Sequence, residues 1–489
     1  MTDTSTFATP PSGDSARAPM PVRDQAHDAD TLSALQNITA DQAVLIKGGT
    51  ILSQDPAVGD LVGDVLIRGG KIIDIGPDLQ ALAEDAVVVD ATGTIVTPGF
   101  VDSHVHAWEG QLRGTAPTLD FGAYLGFTAF GYGPAYRPHD NYVGTLATAL
   151  VALDAGITTI IDNSHNSQSP DHSNAAVEAL RDAGIRGVHA SGAPVGGDAA
   201  RWLSDVNRLR GEYFSSDDQL LTLRLFDLYP SVEVWDFART ENLWISHEMG
   251  AHIENVEDVI ADLSGRGLLT DKHTYNHCFN LPDKVWDMLG NSGATVNVCP
   301  RSDAAFGLGT AFPPIDKIRQ LGILPGLSGD NEISYGLSMF TEMQTLLNGH
   351  RGRTFEKTVC GEEDVPAHLS PADVLTYATI GGATNAGLSG RTGSLTPGKD
   401  ADIVLIRATD INTAPLSNAL ATVTAFAHAG NVDTVFVAGQ VRKFRGALVS
   451  QDLNKIQSLI ESSRDYLYSS RGLTGDIFAE QATIGADSN

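Results

Sequence analysis

Cysteine is scarce in this chain. There are three in 489 residues, Cys278, Cys299 and Cys360, with no CxxC pair and no spacing that outlines a disulfide framework. That excludes a small cross-linked scaffold and a four-cysteine zinc module, and it fits a reducing cytoplasm. Positive charge is also in short supply. Lysine and arginine total 32 against 60 aspartates and glutamates, for a net charge of −28. Nucleic acid phosphates and anionic bilayers are repelled by such a chain, so neither is expected as a partner and a small molecule is. Long apolar runs are missing, since no stretch of about 18 residues is apolar enough to span a membrane. The first forty residues have neither the basic start nor the apolar stretch of a signal peptide. Rich in Asp, Ser, Thr, Ala and Pro, residues 1–41 are expected to form a disordered tail.

What is present has two textures. From residue 42 to 98, short apolar triplets alternate with glycine pairs: Val44-Leu45-Ile46 before Gly48-Gly49, and Val65-Leu66-Ile67 before Gly69-Gly70. These are hairpin signals of a small β module. From 99 to 395, helical spacing alternates with buried-strand runs such as Gly156 to Asp162 and Ile185 to Ala190, the signature of a parallel α/β layer. β texture returns over 396–447, with runs at Ala401 to Ile406 and Thr434 to Val441, and residues 448–489 read as a C-terminal helix and tail. The expected architecture is an α/β chain: a (β/α)8 TIM-like barrel beside a small β-sandwich built from both ends of the chain. The sequence leaves the oligomeric state open, a homo-oligomer included.

The barrel opens on Thr97-Pro98-Gly99-Phe100-Val101-Asp102-Ser103-His104-Val105-His106. Residues i and i+2 of a strand share a face, so His104 and His106 can reach one metal ion. In a parallel barrel, functional residues sit at the C-terminal ends of strands. His247 follows Leu243-Trp244-Ile245-Ser246, His277 follows Thr274-Tyr275-Asn276, and Asp330 follows Gly326-Leu327-Ser328-Gly329. Eight units in a barrel of about 250 residues are about 31 residues each. His247 to His277 is 30 residues, His277 to Asp330 is 53, and His106 to His247 is 141. The set therefore falls on strands one, five, six and eight.

The Thr97 to His106 stretch resembles the PGF-[VI]-D-x-H-x-H signature of the amidohydrolase superfamily. Arg113-Gly114, Asn276-His277-Cys278, Ala378-Thr379 with Gly381-Gly382-Ala383, and Gly393 to Asp402 resemble its chlorohydrolase and cytosine-deaminase branch. The resemblance implies one divalent metal, Zn or Fe(II), held by His104, His106, His247, His277 and Asp330. Asp330 and His277 are then also catalytic. Strand four, Leu220 to Leu225, carries no lysine to bridge two metals. The implied reaction is metal-dependent hydrolysis of a C–N bond, deamination of a heterocyclic small molecule. Amide or cyclic-amide hydrolysis, dehalogenation, and a non-catalytic scaffold are the alternatives, and the complete ligand set speaks against the last.

One departure stands out. Many deaminases of that branch carry H-x-x-E on strand five, where the glutamate protonates the substrate ring. Here the window is His247-Glu248-Met249-Gly250, with glycine at the glutamate's place. Glu248, adjacent to His247, points to the opposite face of an extended strand. Glu109, Trp108 and His165 are the candidates for substrate contact, with Glu109 or His165 as proton donor. A solvated-loop role for Glu109 and core packing for Trp108 are the plain alternatives. His252 competes with His247, whereas His189, His273 and His350 carry no motif.

Overall fold

The computed structural model describes residues 25–82, 85–216 and 218–472. Five strands precede the barrel: β1 (Ala43–Ile51), β2 (Leu61–Arg68), β3 (Lys71–Gly76), β4 (Val87–Asp90) and β5 (Thr94–Pro98). The barrel strands are β6 (Phe100–Val105), β7 (Ile157–Ser164), β8 (Arg186–Gly192), β9 (Leu221–Asp227), β10 (Ile245–Gly250), β11 (His273–Phe279), β12 (Thr295–Val298) and β13 (Gly326–Leu327). After it come β14 (Ile403–Arg407), β15 (Val432–Val437), β16 (Gln440–Phe444) and β17 (Ala447–Leu448).

The eight strands β6 to β13 pair in sequence order, all parallel. Closure comes just beyond β13. The Asp330 N–H donates to the His104 carbonyl at 3.0 Å, and the His106 N–H donates to the Asp330 carbonyl at 2.7 Å. The seam of the barrel therefore lies where three of the expected site residues meet. Apolar side chains such as Leu150, Leu180, Trp235 and Ile260 fill the space between strands and surrounding helices.

The other nine strands form one mixed sheet, in which β14 from the C-terminal part pairs antiparallel with β5 from the N-terminal part. Its core gathers Val44, Ile67, Val96, Ile403, Leu405 and Phe436. Arg186, at the start of β8 and fully buried, joins the two layers. Its Nε donates to Asp402 at 2.6 Å and its Nη2 to Asp400 at 2.8 Å.

The expected disordered tail is corrected over part of its length. Gln25–Gln36 is a helix. Leu35 is buried in the sheet's core with Leu32 packed beside it, and Arg445 Nε donates to Asp28 at 2.9 Å. Two leucines and an ion pair hold a helix that its own sequence would not sustain in water. The rest of that tail, residues 1–24, lies outside the described residues, as does the end of the chain from 473.

Candidate active site

The site is built from strand ends at one mouth of the barrel. At the end of β6, His104 and, one residue past the strand, His106 carry their imidazoles into the mouth with ring centroids 4.9 Å apart. His104 and His277 approach to 5.4 Å between centroids. Asp330 Oδ1 lies 2.9 Å from His104 Nε2 and 3.4 Å from His106 Nε2. Its other oxygen accepts the Ser302 hydroxyl proton.

His277 reaches the mouth only through a distortion. Along β11, Thr274 faces the barrel interior, where Arg224 donates to its hydroxyl at 3.3 Å. Tyr275 faces outward against Trp235. Simple alternation would send residue 277 outward as well. The register with β10 slips between Met249 and Gly250, and His277 and Cys278 take φ of 61° and 54°. A bulge with two left-handed residues re-aims the imidazole, at a cost in backbone strain that the surrounding packing must offset.

His247 is not brought to the mouth. On β10 it alternates outward, packs tilted against Trp235 at 4.4 Å between centroids, and sets its Nε2 3.0 Å from His273 Nδ1. Its place in the ligand set is corrected by strand parity: β10 has no compensating bulge before residue 249. Burial, and then the neighbouring His273, hold its pKa well below the ordinary value, so it is a neutral core imidazole. Glu248 faces inward instead, with Oε1 3.4 Å from His104 Nε2 and Oε2 3.4 Å from His277 Nε2. Alternation in the sequence puts Glu248 and His247 on opposite faces, but it does not say which face is inward. His189, beside Phe214, His273, beside Trp235, and His350, bonded to Asp316 at 2.9 Å, are buried structural residues.

The three histidines at the mouth present the same nitrogen. His277 Nδ1 lies 2.7 Å from Asp303 Oδ1, and His106 Nδ1 lies 3.3 Å from the Asn163 carbonyl. His104 Nδ1 meets the Asn163 side-chain amide, whose Oδ1 is buried without a partner. Half a turn of that amide makes Oδ1 the acceptor of Nδ1–H. Each Nδ1–H is then satisfied by an oxygen, which fixes the tautomer and leaves each Nε2 lone pair free for a metal. Donors about 2.1 Å from one ion and set 90–110° apart lie about 3.0–3.4 Å from each other, and the Asp330–histidine distances of 2.9 and 3.4 Å are of that size. The donor set fits a divalent cation. With no ion among them the imidazoles would carry the protons instead. Burial raises the Asp330 pKa, but the His104 hydrogen bond with the charges of His104, His106 and His277 would then outweigh it and hold that pKa below the usual carboxylate range.

Beside the histidines lie Trp108, Glu109 and His165. The His165 ring is 4.7 Å from His106 and 5.4 Å from Trp108, centroid to centroid. Burial, then the His106 charge, push its pKa down to about 3, so it is a neutral imidazole. Glu109 is fully buried: Oε1 accepts the Tyr124 hydroxyl at 2.8 Å, while Oε2 has no partner. Burial, with the charges of Asp330 and Glu332 adding to it, raises its pKa well above the ordinary range although the Tyr124 bond opposes this. Trp108 and His165 also line a cleft of about 310 Å³ that runs outward past Pro134, Pro194 and Arg201. An aromatic cluster of Trp108, Tyr124, Phe127, Tyr136 and Phe306 roofs the mouth, and Leu467 of the C-terminal helix Leu453–Ser470 packs into it.

Known proteins share this fold. The model of the amidohydrolase family matches residues 95–212 and 238–442. A 5-methylthioadenosine/S-adenosylhomocysteine deaminase from Caldicellulosiruptor saccharolyticus is 26% identical over 86% of this chain and 99% of its own length. The deaminase of the same name from Desulforudis audaxviator is 29% identical over 81% of this chain and 93% of its own. Among solved structures, a zinc-bound adenosine deaminase from Xanthomonas campestris superposes with a TM-score of 0.75 at 21% identity, covering 88% of this chain and 100% of that one. A zinc complex of atrazine chlorohydrolase from Arthrobacter aurescens TC1 gives 0.73 at 20% identity, over 86% and 100%.

Proposed function

The chain belongs to the amidohydrolase family, and on that premise we propose that it hydrolytically deaminates an aminated, purine-like heterocycle with one divalent metal, zinc first, in the mouth of its barrel. It is a metal-dependent hydrolase of carbon–nitrogen bonds other than peptide bonds. The observation that carries the reading is the convergence of the Nε2 atoms of His104, His106 and His277 with Asp330 beside a buried, aromatic pocket.

The metal, when bound, supplies Lewis acidity and brings water toward ionisation at neutral pH. The residues of the chain do the rest. Asp330, kept ionised, takes the proton of the attacking water and returns it to the departing amine. His277, oriented by Asp303, faces the carbon under attack and polarises its substituent. Glu109, with its unpartnered Oε2 directed away from the Tyr124 bond, gives a proton to the ring nitrogen as attack proceeds and regains one from the added hydroxyl as the carbonyl forms. That role answers the missing strand-five glutamate at Gly250. Trp108 and His165 form the wall on which the flat ring rests.

Ammonia release from adenosine, 5-methylthioadenosine and S-adenosylhomocysteine, run beside chloride release from a chlorinated triazine and ring opening of a cyclic amide, tests the reading. Ammonia is expected in step with product, with one metal ion per chain and loss of activity to a chelator. Chloride release or ring opening outpacing deamination would overturn the reaction class, and two ions per chain would overturn the single-metal site.

A further inference from the structure

Granting the proposed single-metal reading, we propose that Glu248, not His247, is the strand-five ligand, so that the ion is held by three imidazoles and two carboxylates. Strand parity comes first. Ser246 faces the barrel interior, where Arg224 Nη1 donates to its hydroxyl at 3.1 Å. Two residues on, Glu248 must face the same way and stand one layer nearer the mouth. His247 between them is committed to the outer layer by Trp235 and His273.

Distance comes second. Glu248 places one oxygen 3.4 Å from His104 Nε2 and the other 3.4 Å from His277 Nε2. Those separations are of the size that Asp330 makes with His104 and His106, 2.9 and 3.4 Å. His104, His106 and Glu248 together offer three donor atoms within 4.8 Å of one another.

Satisfaction comes third. Glu248 Oε1 is buried with no hydrogen-bond partner, and among the described residues no lysine or arginine pairs with either oxygen. A buried carboxylate oxygen without donor or cation is costly. One ion among the imidazoles removes that cost. His252, the other strand-five candidate, is held among Phe121, Tyr229 and Phe279. Two carboxylates neutralise a divalent charge, and exchanging an imidazole for an oxygen donor moves metal preference toward Mn(II) and Fe(II) relative to Zn(II).

The test is metal binding rather than turnover. Zinc affinity is measured by competition with a chromophoric chelator, and imidazole number by X-ray absorption, for wild type, E248Q, E248A, E248H and H247Q. Wild type should show three imidazoles per zinc. E248A and E248Q should lose affinity by about 100-fold or more, beyond the 10–100-fold typical of outer-shell changes. E248H should keep zinc with four imidazoles, and H247Q should bind zinc like wild type. E248H also guards against mere misfolding, because it predicts a gained ligand. Wild-type affinity in E248A, or loss of zinc in H247Q with E248A unchanged, overturns the assignment while leaving the single-metal reading intact. Wild type that binds no divalent ion overturns both.

Discussion

Glu109 illustrates how a single carboxyl can be prepared for proton delivery. Its chain position, three residues past His106, brings it under the roof of the mouth, and Tyr124 occupies one oxygen. Burial favours the protonated carboxyl more than water would for a solvated glutamate. Glu109→Gln keeps the size and removes the acid, so kcat should fall by about 10²–10⁴-fold with metal content unchanged. His165→Asn, which alters a neutral wall residue, should move KM more than kcat. A kcat within about tenfold of wild type in E109Q, short of that range, would remove Glu109 as proton donor and strengthen the amide and halide alternatives. Asp330→Asn should cost at least the top of the same 10²–10⁴ range, because Asp330 holds the ion as well as the proton. Strand ends and unit lengths place His104, His106 and Asp330 together at the mouth, as the structure has them, whereas His277 arrives there only through its bulge. His247 could not be placed from the sequence. Whether a strand's inward set is odd or even is decided by contacts far along the chain, here Arg224 with Ser246 and Trp235 with His247.

At the scale of elements, the alternation of helix and strand was legible because a parallel barrel repeats one unit. The bulge in β11 was not, since two left-handed residues, His277 and Cys278, carry no glycine to announce them. The helix Gln25–Gln36 was hidden for another reason: its sequence, QAHDADTLSALQ, offers no apolar stripe and is stabilised by the sheet it lies on. Removal of residues 1–24 should leave activity and thermal stability near wild type. Leu35→Ala should destabilise by about 2–5 kcal/mol, as for other buried leucines, seen as a lower Tm. An unchanged Tm would mean that the helix is not docked in solution. Arg186 serves a comparable joining role between layers. Arg186→Met would leave Asp402 and Asp400 facing a buried methionine, although Lys71 and Arg391 still neutralise Asp400. Breaking a buried pair by removing one partner costs about 3–5 kcal/mol. Urea unfolding should report that loss, with the double change of Arg186→Met and Asp402→Leu recovering part of it.

The whole molecule carries a net charge of −28 around a site whose proposed substrate is an uncharged heterocycle. A field of one sign repels anions of the same sign and leaves neutral molecules alone. The chain should therefore prefer a nucleoside-like compound over its phosphorylated counterpart, and salt should act on the two differently. The Debye length falls from about 30 Å at 0.01 M to about 8 Å at 0.15 M ionic strength, so most of the long-range repulsion disappears over that interval. With adenosine as substrate, kcat/KM should change by less than about twofold across it. With adenosine monophosphate, kcat/KM should start lower and rise by about tenfold, the lower end of the range over which protein fields alter association. The local charge at the cleft is the competing influence. Arg201 lines the outer part of the cleft that reaches Trp108 and His165, and its Nη2 already donates to the Gln168 carbonyl at 2.6 Å. If kcat/KM for the phosphorylated substrate instead falls with salt, this guanidinium outweighs the surrounding field and the site selects anions. Arg201→Gln would then abolish the fall while leaving adenosine turnover in place.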